Sequence, residues 1–102
     1  MKQGHQSDAA DIDEIVAVIR AKLVALAPLE ATRISQLSRD SEIRKLGLDS
    51  LTLLEMIMSL EDRIRRPLDE RALSKAHSLG DIAAIVRDEL ESAGASIDAL
   101  KS

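Results

Sequence analysis

The chain has 102 residues, enough for one compact core and too few for two ordinary ones, and it contains no Phe, Tyr, Trp or Cys. Its net charge of −4 runs against the basic excess that nucleic-acid binding needs. Without cysteine it has no disulfide, no Cys-ligated zinc site and no thiol nucleophile, so any thioester chemistry needs an imported sulfur.

The first residues, Met1-Lys2-Gln3-Gly4-His5-Gln6-Ser7-Asp8, are polar and lack the apolar stretch of a secretory signal. A flexible N-terminus is expected over residues 1–10. No segment is apolar for long enough to cross a bilayer, which sets an expectation of no membrane insertion and a cytoplasmic location. Over residues 11–27, Ile12, Ile15, Val16, Ile19, Leu23 and Leu26 recur at helical spacing, with Asp11, Asp13 and Glu14 at the start and Arg20 and Lys22 towards the end. Pro28 closes this helix. Between residues 29 and 49 the periodicity weakens around isolated Ile34, Leu37, Ile43 and Leu46, and this reads as a long loop with room for a short helical turn.

A second amphipathic run follows, in which Leu51, Leu54, Ile57, Met58 and Ile64 are expected to face inward and Glu55, Glu61, Asp62 and Arg63 outward. Asp49 or Ser50 caps it, and Pro67 stops it. Residues 69–76 read as two turns of helix anchored by Leu73. The last helix starts at Ser78-Leu79-Gly80-Asp81, a capping-box spacing, continues through Ile82, Ile85, Val86 and Leu90, and ends before Gly94. Nothing alternates with period two. The expected fold is all-α, three main helices plus one short helix with a long loop between the first two, comprising residues 11–91, followed by a loosely ordered tail over residues 92–102.

The stretch Leu46-Gly47-Leu48-Asp49-Ser50-Leu51 carries the chemistry. Gly47 permits a tight bend, and the residues after it bring a serine to a helix start, where negative charge is favoured. On local physics alone Asp-Ser before an apolar helix reads first as an N-cap. In Gly47-Leu48-Asp49-Ser50-Leu51, and in the order of long helix, long loop, long helix, short helix and final helix from Ile12 to Leu90, the chain resembles the acyl carrier proteins. The resemblance implies that Ser50 carries 4′-phosphopantetheine, taken from coenzyme A. It further implies that a phosphopantetheinyl transferase reads Asp49 and Leu51, and that the helix over residues 50–66 meets partner enzymes. Leu54 and Met58 fall where the family places apolar contacts, and Glu55, Glu61 and Asp62 where it places acidic ones. Each has an ordinary reading too, core for the first pair and a solvated helix face for the acids.

Thr52 stands at a position often acidic in fatty-acid carriers, and Arg63, Arg65, Arg66 and Arg71 add basic character. These departures suit either the helix dipole or a specialised partner set. A serine-enzyme reading lacks a base, since His5 lies in a polar terminus and His77 at the last helix, and no Gly-x-Ser-x-Gly elbow is present. The chain is therefore expected to be a non-catalytic, metal-free, monomeric carrier. Its partners would be acyl- or aminoacyl-activating and transferring enzymes, with fatty acyl cargo favoured over a polyketide or amino acid, or over an unmodified interaction module. Leu54, Met58, Ile82 and Ile85 are the candidates for lining a cavity for the bound chain.

Overall fold

Asp11 stands in extended backbone and starts α1 (Ile12–Leu26), a 15-residue helix whose buried stripe is Ile15, Val16, Val18, Ile19 and Leu23. The computed structural model describes residues 11–101, so the expected flexible N-terminus and His5 lie outside the described residues. Ala27 leaves helical backbone at φ −137, and Pro28, which has no N–H to donate, opens a 3-10 turn, Pro28–Glu30. That turn runs directly into the short helix α2 (Ala31–Ile34).

The segment expected to be mostly loop is therefore partly helical, with a further 3-10 turn at Ile43–Lys45. Its isolated apolar residues are anchors: Ile34 is fully buried and Leu46 nearly so. No element here is long enough to show a helical period in sequence. The loop is also pinned by backbone to the start of the last helix. Leu79 N–H donates to the Ser41 carbonyl (3.0 Å), Gly80 N–H to Arg39 (2.9 Å), and Ile43 N–H to His77 (2.8 Å). These contacts satisfy donors that a helix start leaves without intrahelical partners. Glu42 and Ser78 form an isolated bridge, and no strand occurs among the described residues.

The second long helix, α3 (Ser50–Ile64), buries Met56, Leu60 and Ile64. Leu51, Leu54 and Met58, expected to face inward, are instead 62%, 52% and 54% exposed. The helix carries two apolar stripes, and periodicity alone does not say which one meets the core. Arg65 ends it in left-handed backbone (φ 65). A short α4 (Glu70–Ser74), narrower than the two turns expected, is capped by Asp69, and α5 (Leu79–Ala93) opens with the Ser78/Asp81 capping box and closes at Gly94 in left-handed backbone.

The core is wholly aliphatic apart from Met56, and no charged side chain is buried among the described residues. Helix α1 packs mainly on α5 and α3. The tail corrects the expectation of loose order: a 3-10 turn at Ile97–Leu100 folds back onto α3 and α1 and places Leu100 in the core, fully buried. Ala95, Ile97 and Ala99 pack against the core beside it, and their combined apolar area holds a short segment that lacks periodicity.

Candidate functional site

The approach to Ser50 is built from two anchored leucines with a bend between them. Leu46 is buried, Leu48 is half-buried against the core, and Gly47 between them adopts φ +74, where a side chain is strained. A Cβ at Gly47 would also come within 2.8 Å of the Arg33 Nη1 atom. The bend reverses the chain out of the core and delivers Asp49 in extended backbone to the start of α3.

Asp49, not Ser50, caps that helix. Its Oδ1 accepts from the Thr52 N–H at 2.8 Å. That backbone hydrogen bond, reinforced by the Thr52 side chain and the Leu51 N–H, holds the Asp49 carboxyl below its usual range despite a small opposing effect of burial. Ser50 is the first residue of the helix and is exposed. Its side chain stands beside backbone N–H groups that point out of the helix start, a setting suited to a phosphodiester.

Along α3 from Ser50, Leu51, Leu54 and Met58 form one exposed apolar stripe at helical spacing. Glu55 and Asp62 are exposed beside it. Glu61 is only partly so, and its Oε2 accepts from the Leu68 N–H at 2.8 Å, so this acid fastens the turn after α3. Because Leu54 and Met58 point outward while Ile82 lies in the core and Ile85 is half-buried, Leu54 and Met58 do not line an interior cavity with them.

The arginines at the end of α3 have separate surroundings. Arg66 Nε pairs with Glu89 Oε1 of α5 at 3.0 Å, Arg65 forms the left-handed cap, and Arg63 lies near enough to Lys22 of α1 to add to the burial that lowers the lysine's pKa. A shallow recess between Met58, Asp62, Arg63, Arg65 and the tail's Ala99 joins this basic end to the apolar stripe. His77 is exposed, and its backbone N–H donates to Asp81 Oδ2 at 2.8 Å. Among the described residues no group of three His, Asp or Glu side chains is placed to hold a metal ion.

Comparison with protein families decides what this arrangement belongs to. A family described as the phosphopantetheine attachment site matches residues 17–86. The chain belongs to the phosphopantetheine-attachment family. The match takes in α2, the Gly47 bend, all of α3 and α4, and most of α5, which is the whole setting of Ser50. The family's group is covalently bound 4′-phosphopantetheine, and its members are carriers met by phosphopantetheinyl transferases and acyl-handling enzymes. A search of curated proteins gave no significant match. Arg33 and the Leu100 anchor were not singled out from the sequence, since neither lies in a motif and both act across long chain separations.

Proposed function

We propose that Ser50 carries the phosphopantetheine arm and that the protein holds acyl intermediates on it as thioesters, presenting them to enzymes of fatty acid or related lipid biosynthesis. The observation that carries this reading is the division of labour at the start of α3. Asp49 takes the capping role, which leaves the Ser50 hydroxyl at an exposed helix start without a structural duty as the cap. In loading, the Ser50 Oγ bonds to the phosphorus that bears pantetheine, the pyrophosphate bond of coenzyme A breaks, and 3′,5′-ADP leaves. The serine proton passes to a base of the transferase. The arm supplies the thiol that this chain lacks.

The exposed stripe of Leu51, Leu54 and Met58, flanked by Glu55 and Asp62, is the surface proposed to meet partners, with Asp49 and Leu51 closest to the reacting hydroxyl. Glu61 contributes mainly by fixing the turn behind this surface. Arg63 and Arg65 give the far end of α3 the opposite charge, which favours a specialised partner set over the general enzymes of chain elongation. The carrier domain of residues 11–91 is completed by the tail that inserts Leu100 into its core, it works as a monomer, and its place is the cytoplasm.

The test is intact mass. Unmodified protein incubated with a phosphopantetheinyl transferase and coenzyme A should gain one phosphopantetheine, and Ser50→Ala should gain none while keeping its helical circular dichroism. A Ser50→Ala variant that still gains the arm would place the attachment elsewhere.

A further inference from the structure

The bend that presents Ser50 is held from outside its own motif. Arg33, on α2, donates from Nη1 to the Leu46 carbonyl, 13 residues along the chain, at the point where the backbone leaves the core. The guanidinium is itself held: Nη2 and Nε both donate to Glu30 Oε1, at 2.6 and 3.1 Å. The same Nη1 lies against Gly47, where an added Cβ would sit 2.8 Å away. Glu30, Arg33, the Leu46 carbonyl and Gly47 thus form one continuous contact leading into Asp49 and Ser50.

We infer that Arg33 is a positioning residue for loading of Ser50, acting by holding the Leu46-Gly47 bend in the shape that presents the serine to the transferase. This rests on the proposal that Ser50 is the attachment site. Gly47 has the widest backbone freedom of any residue type, so the bend is the place where the presenting conformation is most easily lost. A charge-assisted hydrogen bond to the carbonyl just before it restricts that freedom. Leu46 below and Leu48 above are anchored in the core, so Arg33 acts on the short exposed span between two fixed points. Lysine would supply a point charge without the planar fork that reaches Leu46 and Glu30 together.

A carrier whose presenting conformation is populated only in part is a substrate with raised KM, because only the competent fraction binds productively. With unmodified protein as substrate for a phosphopantetheinyl transferase, Arg33→Ala should raise the KM for the carrier about five-fold with kcat unchanged. Glu30→Gln should shift KM the same way by a smaller factor, and Arg33→Lys should recover part of the loss. Backbone amide order parameters at Gly47 and Leu48 should fall in Arg33→Ala while those of the core of α3 stay high. Because Arg33 and Glu30 are both on the surface, both variants should fold.

A wild-type KM in Arg33→Ala overturns the inference. So does a raised KM in Arg33→Ala with Glu30→Gln unchanged and the order parameters unaltered, which would make Arg33 a direct contact of the transferase. Loading of Ser50→Ala in the same assay would instead overturn the attachment site itself, so the two failures are told apart.

Discussion

Asp49 and Ser50 are adjacent, polar and both able to cap a helix, yet their side chains have different tasks. Asp49→Ala removes the acceptor of the Thr52 N–H and should cost about 1 kcal/mol in urea unfolding, whereas Ser50→Ala, which leaves that cap in place, should fall within about 0.5 kcal/mol of the parent. The folded-state pKa of Asp49 is depressed by hydrogen bonding to Thr52, that of Asp81 by the His77 and Ser78 N–H groups, and that of Asp13 by the Arg39 side chain. Since each native pKa lies below its unfolded value of about 3.9, the stabilisation is complete above that pH and is lost as pH falls through the native values. Urea midpoints should therefore be flat from neutral pH down to about 5 and drop below about 4. The capping motif itself was legible in the sequence, although it left open which of the two residues caps. Arg33 was not, because a contact spanning 13 residues from a short helix leaves no local pattern.

At the level of elements, sequence spacing located α1, α3 and α5 to within a residue or two, because each presents a long amphipathic period and a recognisable start. It placed Ile57 and Ile64 correctly on the inner face of α3 and misplaced the other three residues expected there. Leu51, Leu54 and Met58 share a helical period with one another just as Met56, Leu60 and Ile64 do, and only the packing of α1 and α5 selects between them. The stripe left outside is an unusual exposure of large apolar side chains beside Ser50, in keeping with the proposed partner surface. The tail escaped notice for a different reason, since Leu100, with Ile97 and two alanines beside it, holds a segment too short to show a repeat. Leu100→Ala should lower unfolding stability by about 2–5 kcal/mol if the site cannot collapse, with the loss read from urea denaturation followed by circular dichroism.

Across the whole molecule, charge is distributed along α3 with a direction: Glu55 and Asp62 flank the apolar stripe, while Arg63 and Arg65 stand at its far end and Arg66 is tied to Glu89. Exposed charges of this kind steer encounters and are screened beyond roughly 10 Å at 0.1 M salt. Glu55→Lys with Asp62→Lys should slow loading markedly at low ionic strength and little at high, in stopped assays across a salt series. Equal rates at every salt concentration would reduce these acids to solubilising groups. The order of helices, the aliphatic core and the serine motif were all legible because they follow from spacing and from a family pattern.

On the function proposed above, one hydroxyl of this chain carries the arm. Trypsin, cutting after Lys45 and Arg63, releases a peptide that holds Ser50, Thr52 and Ser59 together with the whole exposed stripe. Fragmentation of that peptide by tandem mass spectrometry, after loading by a phosphopantetheinyl transferase with coenzyme A, locates the modification directly. Phosphopantetheine on Ser50 alone is the expected result; its appearance on Thr52, on Ser59 or outside this peptide, or its absence from protein exposed to an active transferase, would overturn the assignment of the arm to Ser50.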